Sequence, residues 1–348
     1  MTTMRSLALA LVCLAVFHPA TAAPQPGAIP KSMQAVAIDG PADADALKLR
    51  TLPVPSVEAN EVLIAMQSAS VAVWDIPIRK SLAYINKPKF PYILGSDGAG
   101  RVAAVGPGVT RLKVGDAVYG YCWDNPKGGF YAEFVVASQD CISVLPKGLS
   151  LDAAGALGAS GLTALSGIDR ALNIKRGDTL IIHGASGAVG TLALQIAKVR
   201  GARVLATASG DEGVALVRRL GADAVVDGRS GDISAAVRAF APDGVDAVLA
   251  LAGGDALEKC LAALKAGGRV AYPNGVEPVP KPRAGLTIVP YDALFGDEKV
   301  QLAQLNAAVE AKPFEVPIAA TFSLADAAAA HRRVEAGRVP GKVLLKIR

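Results

Sequence analysis

The sequence predicts an α/β protein in two parts, a β-rich domain followed by a doubly wound parallel sheet. Three observations carry this expectation. Half of the 348 residues are hydrophobic and only 19% are charged, as expected where strands are buried on both faces. Near residue 155 the texture changes from short apolar runs, broken by Gly and Pro, to regular strand–helix alternation. The first strand of that alternation, in "TLIIHGASGAVGTLALQIAK" (residues 179–198), passes through small residues into an apolar-faced helix.

The first 23 residues stand apart. Arg5, an apolar run from Leu7 to Phe17 and the small residues Ala20-Thr21-Ala22 follow the order of a secretory signal peptide. The run is too short to span a membrane, so no stable membrane insertion is expected. This leader predicts a secreted or periplasmic protein, and a cytoplasmic one if the true start is Met33. Residues 33–155 then supply short strands: "MQAVAI", "EVLIAMQSASV", "GRVAAVG", "DAVYGYCW" and "FYAEFVVA". Residues 156–290 alternate strand and helix: "TLIIHG" and the helix from Ala188, "RVLATA" and "DEGVALVRRLGA", "AVVD" and "DISAAVRAF", "VDAVLALAG" and "DALEKCLAALKAGG", then "RVAYPNG". Such alternation implies right-handed crossovers on a parallel sheet. Residues 291–348 add two helices and the strand "GKVLLKI".

The net charge of +5 and pI near 9.0 would suit a nucleic-acid binder. Lys and Arg are scattered, however, without a basic block or aromatic–basic interleaving, so no nucleic acid is expected. Of four cysteines, Cys13 lies in the leader and Cys122, Cys141 and Cys260 lack C-x-x-C spacing. Cys122 and Cys141 can pair, but an odd remainder of three favours buried free thiols.

The turn between residues 184 and 190 meets the needs of a dinucleotide site. Gly184-Ala185 can make the tight turn, Gly187 admits a pyrophosphate, and Gly190 allows close helix–strand packing. Ser186 lies within the turn, and Ala188 and Val189 open the helix whose N-terminal amides would face the phosphates. The second strand ends at Ala208-Ser209-Gly210, with no acid before Asp211 and Glu212. An acid at the tip would accept from the ribose hydroxyls of NADH, whereas Ser209 and one of Arg218, Arg219 or Arg229 could receive a 2′-phosphate. NADPH is therefore expected, with NADH the lesser alternative.

With these segments in order, the chain resembles the medium-chain dehydrogenase/reductase superfamily. Within it, the chain is similar to the zinc-free quinone oxidoreductase branch that includes zeta-crystallin-like proteins. The motifs are "MQAVAI", "PYILGSDGAGRVAAVGPGVTRLKVGDAVYG", "GGFYAEFVV", "LGASGLTAL", "GASGAVG", "LKAGGRVAYPNG" and "GKVLLKI", spread from Met33 to Ile347. The resemblance implies a GroES-like catalytic domain, a Rossmann domain and a C-terminal return to the first. It also implies a homodimer through an edge strand, with "TIVPYDALFG" as the segment.

The superfamily's zinc enzymes carry ligands where this chain has Ala72, Ser96 and Ala159, and no metal is expected. His183 and His331 read as packing or surface residues. The resemblance places Asp75 and Arg79 near the cleft, as catalytic residues or as an ion pair behind it. It places Tyr84 at the substrate entrance and Thr163 at the nicotinamide end. Asn274 is implied as a cofactor contact, and Lys342 as one that either meets a phosphate or lies in solvent. Relatives usually have Asn at the Ala72 position and often Lys at the Gly213 position. The implied activity is hydride transfer from NADPH to quinones or activated alkenes. The alternatives are an enoyl or alkenal reductase with poor quinone activity, and a low-turnover NADPH-binding protein.

Overall fold

The computed structural model describes residues 29–123, 125–294 and 296–348, so the expected leader and Cys13 lie outside the described residues. The first part comprises β1 (Ser32–Ile38), β2 (Lys48–Pro53), β3 (Glu61–Val71), helix α1 (Asp75–Ser81), β4 (Tyr92–Ile93), β5 (Asp97–Val105), β6 (Ala117–Tyr121), β7 (Phe134–Ser138) and β8 (Ile142–Val144). Helices α2 (Leu151–Gly155) and α3 (Gly158–Leu165) lead into the second part. There β9 (Thr179–His183), α4 (Ala188–Arg200), β10 (Arg203–Ala208), α5 (Gly210–Arg219) and β11 (Ala224–Asp227) form the first half. The second half is α6 (Ile233–Phe240), β12 (Val245–Ala250), α7 (Asp255–Leu261), β13 (Leu264–Pro273) and β14 (Thr287–Tyr291).

All six of these later strands run parallel, in the order β11-β10-β9-β12-β13-β14. The order reverses between β9 and β12, and this is where a doubly wound sheet opens its ligand crevice. Alternate residues explain the unbroken apolar strands. Leu180, Ile182, Val204 and Leu249 join the core that holds α3 and α4. Ile181, Leu205, Val248 and Val270 join a second core against α6 and α7.

The chain then forms α8 (Glu298–Glu310), β15 (Ile318–Ser323), α9 (Ala327–Glu335) and β16 (Lys342–Lys346). β16 pairs antiparallel with β3, and this returns the C-terminus to a seven-stranded sheet of the first part, in which β7 also pairs with β3. β14 is the outermost strand of the parallel sheet.

Two expectations are corrected here. "DALEKCLAALKAGG" is not one helix: α7 ends at Leu261 and β13 begins at Leu264. The Val245 amide donates to the Ala263 carbonyl and Val245 registers with Leu264, so sheet pairing overrides the helix propensity of the Ala-Leu run. Cys122 and Cys141 are not free thiols. They form a disulfide with Cα atoms 5.5 Å apart. Antiparallel pairing of β6 with β8, Gly120 opposite Ile142, brings the two strand ends together, which a count of cysteines cannot reveal. Cys260 remains free and buried, and burial pushes its thiol up to about 12.

Candidate active site

At the end of β9, Gly184 takes φ +84°, and the Ala185 amide donates to the Thr207 carbonyl of the neighbouring strand. A Cβ at Gly190 would lie 2.5 Å from the Gly184 oxygen and 2.6 Å from the Ala185 Cα, so α4 can pack on the turn only with glycine there. Gly187 differs. Its φ of −77° and ψ of 176° are extended backbone, and an added Cβ would meet nothing nearer than the Gly184 oxygen at 3.5 Å. The protein itself makes no demand for glycine at 187, whereas a phosphate resting on the turn would. Gly187 also caps α4 without a side-chain acceptor, leaving the first-turn amides of Ala188, Val189 and Gly190 for a ligand. These residues fit the phosphates of a dinucleotide.

The C-terminal segment closes on this turn: the Gly341 amide donates to the Ser186 carbonyl, and Gly341 bridges to Gly187. Lys342 is thereby drawn inside. It is 5% exposed rather than solvated, with Nζ 3.1 Å from Ser160 Oγ and 5.6 Å from the Trp74 ring centroid. Ser209 caps α5, and its amide lies 3.4 Å from Ser186 Oγ. A Cβ on Gly213 would lie 3.0 Å from Ser186. Arg229 reaches the tip of β10, its Nη1 3.8 Å from where a Cβ on Gly210 would stand. The Asn274 side-chain amide donates to Asp292, and its backbone amide donates to the Tyr291 carbonyl.

The other wall of the cleft is built from side chains. The Trp74 indole donates to Ser96 Oγ at 3.0 Å. The Ala72 amide donates to Asp75 Oδ2 at 2.8 Å, and the Ala159 amide to Asp97 Oδ2 at 3.0 Å, while Ser70 also donates to Asp97. Two alanines and a serine engaged by an indole offer no thiolate or imidazole, so zinc does not fit these three positions. Among the described residues no group of three His, Cys, Asp or Glu could hold a metal ion. Thr163 is buried, and its hydroxyl donates to the Ala159 carbonyl of its own helix. Tyr84 is 69% exposed at the mouth, its ring centroid 6.3 Å from that of Trp123. Trp123 in turn contacts Trp74 at 6.3 Å and Tyr121 at 6.5 Å.

Asp75 and Arg79 do not form the expected ion pair. Arg79, 1% exposed, donates to Glu335 at 2.7 Å, to the Ala42 carbonyl and to His331 Nδ1 at 3.0 Å. A guanidinium only donates, so His331 accepts at Nδ1 and carries its proton on Nε2, which faces the Tyr131 hydroxyl at 3.2 Å. Tyr131 passes its own proton toward Asp75 Oδ2 at 2.8 Å. The result is a buried chain of fixed polarity, Arg79 to His331 to Tyr131 to Asp75. Burial lifts the Asp75 carboxyl to about 6 and, with Arg79 beside it, pushes His331 down to about 3. His331 and His183 are both buried, not surface residues, and burial pushes His183 down to about 4.

Comparison with known proteins agrees with this architecture. The description "Alcohol dehydrogenase GroES-like domain" matches residues 58–147. A rat (Rattus norvegicus) quinone oxidoreductase is 32% identical over 327 residues, covering 90% of this chain and 98% of the relative. The chain belongs to the zinc-free quinone oxidoreductase branch of the medium-chain dehydrogenase/reductase superfamily. A second description, "Zinc-binding dehydrogenase", matches this oxidoreductase at residues 220–345, wholly downstream of positions 72, 96 and 159. Among solved structures, an NAD-dependent alcohol dehydrogenase is 30% identical with a TM-score of 0.83, covering 91% of this chain and all of that one. A mycobacterial protein solved with NADPH is 28% identical with a TM-score of 0.78, over the same shares. Sequence reasoning on the oxidoreductase missed Trp74, Trp123, Tyr131 and the inward role of His331. One signal was available: the chain has only two tryptophans, and both fall in the first domain.

Proposed function

We propose that the protein is a zinc-independent, NADPH-dependent reductase of quinones or of alkenes conjugated to a carbonyl. The observation that carries this reading is the occupation of the three zinc-ligand positions by Ala72, Ala159 and a Ser96 bonded to Trp74. Alcohol oxidation needs something to stabilise the alkoxide, which zinc does as a Lewis acid, and this donor set cannot hold zinc. A conjugated acceptor spreads its developing charge and needs only hydrogen-bond donors at its oxygen. NADPH, when bound, supplies the hydride. The turn at Gly184–Gly190 and the α4 N-terminus hold its pyrophosphate, and buried Lys342 adds a cation beside them. Trp74 and Trp123 exclude water from the cleft, and the Tyr84 hydroxyl at the mouth can donate to the acceptor oxygen. NADPH rather than NADH is supported by Arg229 at the β10 tip and by the relative solved with NADPH. Absorbance assays with NADPH and NADH, each against a quinone and an α,β-unsaturated ketone, test the reading. Turnover with NADPH is expected; tight binding without consumption across acceptors would make this a binding protein instead.

We further propose that the chain matures in an oxidising compartment. The Cys122–Cys141 disulfide and the signal-like residues 1–23 support this. Non-reducing mass analysis of the native protein should find the pair linked on a chain lacking the leader. A reduced pair on a chain retaining Met1 would refute it.

A further inference from the structure

We propose that the Lys342 ammonium and the Ser160 hydroxyl form a two-donor site that receives the acceptor oxygen as negative charge builds on it. The inference rests on the reductase reading above and names the groups that stabilise its anion. Lys342 is 5% exposed and Ser160 2% exposed, and Nζ donates to Ser160 Oγ at 3.1 Å. An ammonium has three donors, and among the described residues the other two meet no hydrogen-bond acceptor. No carboxylate pairs with the charge either. Asp75 accepts from the Ala72 amide and Tyr131, and Asp97 from Ser70 and the Ala159 amide. Ser160 Oγ accepts the lysine bond, and its own proton likewise finds no acceptor among the described residues.

A buried cation without a counter-ion is costly, so a fold that keeps one leaves its negative partner to a ligand. The Trp74 ring, 5.6 Å from Nζ, offsets part of that cost without taking a hydrogen bond. The Gly341 amide, bonded to Ser186, holds the lysine backbone beside the cofactor turn. The side-chain head sits instead on α3 and the Trp74 wall. That indole donates to Ser96 Oγ, and Ser160 follows Ala159, so the charge stands beside two of the three positions that cannot ligate zinc. The head is thus placed toward the acceptor, while the α4 amides hold the phosphates. The chemistry balances with the groups already named. Hydride from NADPH carries two electrons to the conjugated system, whose π electrons shift onto the carbonyl oxygen. That oxygen becomes an enolate or hydroquinone anion, and NADP+ is left. Both donors keep their protons while bonding it, and water supplies the proton that completes the product.

The test makes Lys342→Met and Ser160→Ala in the full chain and measures turnover of benzoquinone and cyclohexenone, NADPH affinity and urea unfolding. Lys342→Met should lower kcat about 100-fold with either acceptor, as losing one oxyanion donor does. Ser160→Ala should lower it about tenfold. Lys342→Arg should recover part of the lost rate. NADPH affinity should change by less than about threefold in each variant. Lys342→Met should unfold at no lower urea, because an apolar chain of similar length replaces an unpaired charge. A fall in NADPH affinity as large as the fall in kcat would assign Lys342 to the pyrophosphate and overturn the site. Unchanged kcat in both variants, or a marked loss of stability in Lys342→Met, would overturn it too. A parent that turns over neither acceptor defeats the reductase reading, and 4-nitrophenolate, an aromatic oxyanion, then probes the site alone with NADP+ present. Saturable binding that Lys342→Met weakens about tenfold or more upholds the two-donor site, and binding indifferent to that change overturns it.

Discussion

Between Gly184 and Gly190 the cleft is shaped by main chain, within one continuous stretch of sequence. The opposing wall draws instead on side chains from Ala72 to His331: Trp74, Ser96, Trp123, Tyr131 and the histidine itself. The two ends should therefore fail differently. A backbone site breaks when a Cβ is added in the wrong place and ignores most other changes. A side-chain site resting on a buried polar chain breaks when any member loses its partner. The largest expected effect tests that second claim. Arg79→Met leaves the His331 Nδ1 and the Ala42 carbonyl without their donor, while Glu335 keeps Lys80 at 2.8 Å. Each acceptor left unpaired costs roughly 1–3 kcal/mol, on the order of 3–5 kcal/mol for the two together. Urea unfolding should show that loss, while the folded fraction still binds dinucleotide, because the turn makes no contact with Arg79. A loss below about 1 kcal/mol would show that the buried chain carries little stability.

The next pair of substitutions separates two glycines three residues apart. Gly190→Ala forces a Cβ into backbone atoms at 2.5 and 2.6 Å and should cost about 2–3 kcal/mol of stability, typical of overpacking without room to relax. Gly187→Ala has open space and ordinary dihedrals. It should unfold like the parent yet bind NADPH about tenfold more weakly, roughly 1.4 kcal/mol, by calorimetric titration. Equal stability losses in the two variants would mean that Gly187 serves the fold and not the ligand.

The same contrast explains what could be read from sequence alone. The turn was legible because each need falls on a residue type at fixed spacing, and the structure shows the positive φ at Gly184 and the close packing at Gly190. The parallel strands were legible because burial on two faces leaves no polar alternation. The acceptor wall was not. Nothing local in "VAVWD" says that Trp74 will donate to Ser96, and the pairing of His331 with Tyr131 depends on α9 folding back onto the first domain. Lys342 read equally well as a phosphate contact or as solvated, and the Gly341–Ser186 and Lys342–Pro317 bonds bury it. The disulfide was hidden for the same reason, since it follows from strand register rather than cysteine count.

The side-chain wall, together with His183 at the end of β9, should also set the acid sensitivity of the fold. His331 and His183 are held neutral, at about 3 and about 4, so between those values and 6.5 the unfolded chain binds protons the folded one refuses. That makes stability rise with pH across the window. Asp75 works the other way: raised to about 6, it keeps a proton in the fold that the unfolded chain releases near 3.8. Between pH 4 and 6 the two histidines outweigh the one carboxyl by about one proton, giving a rise of about 1.4 kcal/mol per pH unit. Asp75→Asn removes the opposing group, so its stability should climb more steeply over the same range. A parent whose unfolding midpoint is flat from pH 4 to 6 would contradict the buried, neutral histidines.

The smallest effect belongs to the cofactor end, at the one place where that end depends on a side chain. Arg229 is exposed, and its guanidinium lies between Gly210 at the tip of β10 and Asp227 at the end of β11. Asp227 is held below the usual carboxylate range by the Arg229 amide, then by Ser230 and the nearby charge of Arg229. That carboxylate anchors the arginine loop, so the guanidinium is partly placed before any 2′-phosphate arrives. Being solvent-exposed, its attraction is screened, and exposed ion pairs contribute about 0.2–1 kcal/mol. Arg229→Ala should accordingly weaken NADPH about three- to fivefold and leave NADH unchanged. The difference should shrink as salt rises toward 1 M, where the screening length falls to about 3 Å. A variant that weakens both cofactors alike would assign Arg229 to the loop's architecture, and discrimination at the 2′ position would then rest on the missing acid at Ser209.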